Sequence, residues 1–136
     1  MPALSKTTMF PARLDRLRAL RAFLDAFCAS AGLPNDDCSR LNLVVEELFT
    51  NTVRHGHKGD SDSPVWVSVS CDGKRVDLSY EDSAPPFNPY GQTADLTLRM
   101  RKPGGLGLLL TRKLAASRDY AYLYGRNRIR LALTLD

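Results

Sequence analysis

No apolar run in this chain approaches the roughly 20 residues that a bilayer-spanning helix needs, so no membrane span is expected. The first ten residues, MPALSKTTMF, lack the apolar core of a secretory signal, which makes a cytoplasmic location the expectation. Cysteine is scarce: Cys28, Cys38 and Cys71 are the only three, scattered and odd in number. They form no metal-ligand spacing, and reduced thiols in a reducing compartment are the expected state. Internal repeats and low-complexity tracts are absent. The charge imbalance is mild, a net +4 from 19 basic and 15 acidic residues. That favours anionic partners in general, yet no basic cluster is joined to aromatics in a way that argues for direct nucleic-acid binding.

What is present suits one soluble domain, residues 1–136, with 43% hydrophobic and 25% charged residues. The organising stretch is LNLVVEELFTNTVRHG, Leu41 to Gly56. Leu41, Val44, Val45, Leu48, Phe49 and Thr52 recur at the spacing of an amphipathic helix with one face in a core. Glu47 and Asn51 then lie one turn apart along one edge of that stripe. Glu46, about 100° away around the helix, is expected to look at solvent. A carboxylate and a carboxamide at such an edge either serve a cleft or are merely wet.

Residues 3 to 10 alternate weakly and read as an edge strand. From Ala12 to Ala31, Leu14, Leu17, Leu20, Phe23, Leu24 and Phe27 repeat with helical spacing, and Gly32 and Pro34 stop the helix. Arg13, Arg16, Arg18 and Arg21 give it a basic outer side, for which a solvated face is the simpler reading. Asn35 or Asp36 is expected to cap the organising helix, with Asp37 favourable in its first turn. That helix should end at His55-Gly56. Val65 to Ser70 and Arg75 to Tyr80 read as strands joined at Asp72-Gly73. Ser83 to Pro103 holds four of the eight prolines, with a short helix expected around Ala94 to Met100; such a stretch is a functional lid or a disordered insert. A helix over Leu108 to Ala116 follows, then strands at Tyr120 to Tyr124 and Ile129 to Leu135, joined at Gly125-Arg126-Asn127. Helices followed by hairpins predict an α+β, two-layer sandwich: a mostly antiparallel mixed sheet with helices on one face.

Gly104, Gly105 and Gly107 precede a helix, where glycines let a backbone approach a ligand and free amides favour phosphate. A simple hinge is the other reading, because no lysine and hydroxyl follow them and no strand precedes them. Asp82 ends a strand directly before the lid; it either faces the lid's underside or only caps a turn. In order, these features resemble the GHKL superfamily of ATPases, and in particular the small bacterial anti-sigma-factor serine/threonine kinases. The carrying residues are Glu47-Leu-Phe-Thr-Asn51 with Arg54-His55-Gly56, then Glu81-Asp82-Ser-Ala-Pro-Pro-Phe-Asn-Pro89, then Gly104-Gly105-Leu-Gly107-Leu-Leu. The resemblance runs from about residue 8 to the C-terminus.

The resemblance implies a Bergerat-type fold with ATP between the helices and a lid at about 83–104. It implies ATP contacts from Asn51, Asp82, Ala84, Gly104, Gly105, Leu106, Gly107 and Leu108. Asn51 would bind Mg²⁺, Glu47 would act as general base, and Asp82 would accept the adenine amino group. His55, inside the apolar stripe, is expected to be a packed structural histidine rather than a catalytic one. Two positions depart from the family pattern: Ala84 stands where glycine is usual, and Asn88 where aspartate is common. The function implied is an ATP-dependent protein serine/threonine kinase that phosphorylates a small STAS-type antagonist and regulates a sigma factor. The alternative is a nucleotide-binding switch that sequesters a partner without phosphorylating it. A split histidine-kinase module fits less well, as no phosphoacceptor helix is visible. Retention of Glu47 favours the kinase, and a homodimer stays open.

Overall fold

The structure, a computed structural model, describes residues 4–86 and 118–135. Strand β1 (Leu4–Pro11) leads through a 3₁₀ turn (Leu14–Arg16) into helix α1 (Leu17–Ala31). Helix α2 (Asn35–Asn51) continues without a break into a π-helical turn (Thr52–Gly56). Strands β2 (Pro64–Cys71), β3 (Arg75–Asp82), β4 (Arg118–Leu123) and β5 (Arg126–Thr134) complete the described elements. The helices expected at 94–100 and 108–116 fall outside the described residues, as do Asn88 and Gly104 to Leu108.

The sheet runs β1-β2-β3-β5-β4, and all four pairings are antiparallel. Alternation decides which residues face the helices. Val65, Val67, Val69 and Cys71 of β2 are buried, as are Val76, Leu78 and Tyr80 of β3 and Ile129, Leu131 and Leu133 of β5. Leu20, Leu24 and Phe27 of α1 and Leu41, Val44, Val45, Leu48 and Phe49 of α2 close over that face. Each such large apolar side chain stabilises the fold by about 1.5–3 kcal/mol relative to exposure. The opposite face is polar, with Ser68, Ser70 and Ser79 outward and the Arg126 guanidinium 3.7 Å above the Trp66 ring.

Several local expectations need correction. Pro34, not Asn35 or Asp36, occupies the α2 cap position, and no side chain caps that end. Asp37 is buried in the first turn, 3.3 Å from Arg40. Glu46 does not simply face solvent: its carboxylate takes a 2.8 Å bond from Arg21 and ties α2 to α1. The β4–β5 turn is Tyr124-Gly125, with φ of 55° and 76°. Arg126 and Asn127 therefore belong to β5, where their pairing with β4 and β3 continues the ladder. At the other hairpin the Asp72 carboxylate accepts the Lys74 and Arg75 amides at 2.8 and 2.9 Å, and these bonds hold its carboxyl below the usual range.

Candidate functional site

The inward-facing row of the sheet changes character at one end. Val76 pairs with Leu133, Leu78 with Leu131 and Tyr80 with Ile129, all apolar packing; the next pair is Asp82 with Asn127. Both are buried, at 7% and 4% exposure, so polar groups replace hydrocarbon where the core runs out. A buried carboxylate must be hydrogen-bonded. Asp82 Oδ1 accepts the Ala84 amide at 3.1 Å and the Asn127 Nδ2 amide at 2.9 Å, and Oδ2 accepts the Thr52 hydroxyl at 2.7 Å.

Thr52 sits where α2 passes into its π-helical turn, a distortion found often at functional sites. Its Oγ1 lies 2.6 Å from the Tyr80 hydroxyl and 3.0 Å from the Leu48 carbonyl. A hydroxyl has one proton to give. Thr52 shares it between Asp82 and Leu48, so the Tyr80 hydroxyl must be the donor to Thr52. Tyr80 is suited to that: burial, together with the nearby Asp82 charge, pushes its phenol well above the ordinary range despite the opposing Thr52 bond. It stays protonated.

In front of Asp82 opens a cavity of about 360 Å³, lined by Leu48, Asn51, Thr52, His55, Gly56, Lys58, Tyr80, Asp82, Ala84, Pro85, Pro86, Asn127 and Ile129. That volume lies in the range of small-molecule sites. Asn51 reaches it from α2, and its carboxamide makes no hydrogen bond among the described residues. Ala84 is buried against Gly56: a Cβ built on Gly56 would stand only 2.8 Å from the Ala84 methyl. The departure at 84 is thus accommodated by the missing side chain at 56.

Glu47 is one turn before Asn51 on α2, half-buried, and is not among the residues lining the cavity. Burial first, and the Glu46 charge second, raise its carboxyl above the usual value, with Arg54 opposing. His55 is exposed and lines the cavity, so the expectation of a packed histidine does not hold. The π-helical turn rotates the helix end away from the α-helical register on which that expectation rested.

A family profile for the histidine kinase-like ATPase domain matches residues 10–133. The chain belongs to that family. The chain is 26% identical over 117 residues to the serine-protein kinase RsbW of Listeria monocytogenes, covering 79% of this chain and 73% of that one. It is 27% identical over 111 residues to RsbW of Bacillus licheniformis, covering 76% and 69% respectively. Among solved structures, the RsbU and RsbW domains of a Mycobacterium tuberculosis protein superpose with a TM-score of 0.61 at 22% identity. That likeness covers 99% of this chain but spans 33% of the other, and it establishes the α+β fold. No helix among the described residues is long and apolar enough to cross a membrane.

The structure brings Asn51, Asp82 and Ala84 to one cavity, with Glu47 one turn outside it. Sequence reasoning missed Asn127, Thr52 as a polar group, Tyr80 and Lys58. Asn127 had a signal: in Asn127-Arg-Ile-Arg-Leu-Ala-Leu133 it shares the parity of Ile129 and Leu131, which places an amide on the inward face.

Proposed function

We propose that this chain is an ATP-dependent serine/threonine protein kinase whose nucleotide site is the cavity before Asp82. The observation that carries the reading is a hydrogen-bond count. An ionised carboxylate accepts about four bonds. Asp82 uses three, two on Oδ1 and one on Oδ2, which leaves one acceptor position at the cavity wall. That acceptor suits the exocyclic amino group of adenine. The apolar surfaces of Leu48, Ile129 and Pro85 suit the faces of a base. Lys58 and His55 add polar and cationic character to the lining.

Asn51 offers an uncommitted carboxamide oxygen, the hard ligand type that Mg²⁺ takes while it keeps several waters. Bound Mg²⁺ would neutralise phosphate charge during transfer. Glu47 would take the proton of the attacking hydroxyl, for which its raised pKa is favourable, since a stronger base accepts a proton more readily. The RsbW relatives named serine-protein kinase support phosphoryl transfer to a protein hydroxyl. The resemblance of the sequence motifs to the anti-sigma-factor kinases implies a small STAS-type antagonist as substrate and a sigma factor as second partner.

One observation favours a second reading, a nucleotide-dependent switch that holds its partner without phosphorylating it. Glu47 stands outside the cavity lining and has no hydrogen-bond partner among the described residues. The deciding experiment incubates the protein with γ-labelled ATP, Mg²⁺ and a lysate of its source, and follows label into small proteins. One labelled band that vanishes with Glu47→Ala while calorimetric ATP binding persists supports the kinase. Tight ATP binding with no labelled product supports the switch. No ATP binding by the wild type refutes both.

A further inference from the structure

Asn127 stands beside Asp82 in the cavity wall, and its amide nitrogen has no hydrogen left for a ligand. Nδ2 carries two hydrogens and serves three acceptors: Asp82 Oδ1 at 2.9 Å, the Ala84 carbonyl at 3.0 Å and the Pro85 carbonyl at 3.1 Å. Its Oδ1 accepts the Tyr120 hydroxyl at 2.5 Å. A side-chain amide can be turned end for end, which would aim an oxygen at Asp82. Here the flip is opposed at the Nδ2 end, because it would set a carbonyl oxygen against three acceptors. Residue 127 is also 4% exposed and locked in the β3–β5 ladder directly opposite Asp82.

From this geometry we propose that Asn127 is a positioning residue that fixes which lone pair of Asp82 faces the cavity, and so sets the preference for a base bearing an amino group over one bearing a keto oxygen. The inference rests on the nucleotide reading above and deepens it. Two consequences follow from the bonding. Asn127 fills Oδ1 together with the Ala84 amide, so the vacancy falls on Oδ2, beside Thr52. By holding the Ala84 and Pro85 carbonyls, the same amide pins the start of the segment after β3 to the sheet end. Asn127 Nδ2 thereby acts on the base through Asp82 rather than by a bond of its own.

The test is Asn127→Asp, which keeps the shape and replaces the donor with an acceptor. Two carboxylates at hydrogen-bond distance cannot both stay ionised cheaply, so the pair binds a proton more tightly than either alone. Calorimetry would compare ATP with inosine triphosphate, whose base carries a keto oxygen in place of the amino group, across about pH 6 to about pH 8. The wild type should prefer ATP by about tenfold or more, the scale of one bond to a charged group, with little change over that range. The variant should lose most of that preference at the upper end and regain part of it as pH falls and the shared proton restores a bond to Asp82.

Tyr120→Phe is the milder second variant. It removes the donor that holds Asn127 Oδ1, disturbs little packing, and should lower the preference about threefold while the protein stays folded. If wild type prefers ATP and both variants keep the full preference with a flat pH profile, the inference fails while the nucleotide reading stands. If wild type binds neither nucleotide, both fail.

Discussion

Gly56→Ala is the sharpest probe of how this site was assembled. In isolation the change should stabilise: alanine restricts the unfolded chain, and at a helical position with ordinary φ it gains about 0.4–1 kcal/mol. The structure opposes that gain, because the new methyl would stand 2.8 Å from the Ala84 Cβ. Carbon atoms rest about 3.5–4.0 Å apart, so an overlap near 1 Å has to be relieved. Ala84 cannot retreat freely. It is 3% exposed, its amide is held by Asp82 at 3.1 Å and its carbonyl by Asn127 at 3.0 Å. Overpacking at such a place costs about 1–3 kcal/mol, so the net effect should be a loss of about 1 kcal/mol.

Urea unfolding of four proteins settles the sign: wild type, Gly56→Ala, Ala84→Gly and the double variant. Ala84→Gly should also destabilise by about 1 kcal/mol, from a lost buried methyl and a looser unfolded chain. The double variant removes the clash, so the two losses should fail to add, with a coupling of about 1 kcal/mol or more. A Gly56→Ala protein more stable than wild type, or strict additivity in the cycle, would refute the steric account of Ala84.

Three further outcomes are expected. Thr52→Val should cost about 1–3 kcal/mol because it strands the buried Tyr80 hydroxyl and removes a donor from Asp82, whereas Tyr80→Phe, which deletes the stranded group itself, should cost clearly less; equal losses by urea unfolding would contradict the proton count at Thr52. Phosphoryl transfer should fall as pH drops through a Glu47 pKa lying above the ordinary 4.5, and Glu46→Gln should move that acid limb to lower pH while Arg54→Ala moves it to higher pH, as pH–rate profiles would reveal. Just before α1, Arg13 and Arg16 are engaged with Asp15 and Asp62, whereas Arg18 on α1 has no ion pair among the described residues and lines a groove of about 230 Å³ between α1 and α2. Arg18→Glu should therefore slow association with an acidic protein partner at low salt and leave ATP affinity unchanged, and an unaltered association rate would return the basic side of α1 to plain solvation.

Periodicity by itself determined much of this protein. The stripe from Leu41 to Thr52 dictates a helix with its core face, and alternation in Val65 to Ser70 and Arg75 to Tyr80 dictates paired strands. Glycine at 32, with φ of 66°, ends α1 as its freedom allows. The i, i+4 relation of Glu47 and Asn51 follows from helical geometry alone, and so does the place of Asp82 at the end of a strand. These are local consequences of chain chirality and side-chain spacing, and they need no knowledge of neighbours.

Only the tertiary structure decided what those residues meet. Asp82 and Asn127 are 45 positions apart, and nothing in either segment says that β5, rather than β4, lies beside β3. That order makes Asn127 the partner of Asp82 and Tyr120 the partner of Asn127. Thr52 reads as apolar in the stripe, yet the π-helical turn sets its hydroxyl between Tyr80 and Asp82 and sends His55 outward. The contact between Gly56 and Ala84 is likewise invisible in the chain, since it depends on a helix end and a strand end converging in space. Periodicity tells a residue which way to face, but strand order and helix docking choose its neighbours, and the chemistry of this site is a property of those neighbours.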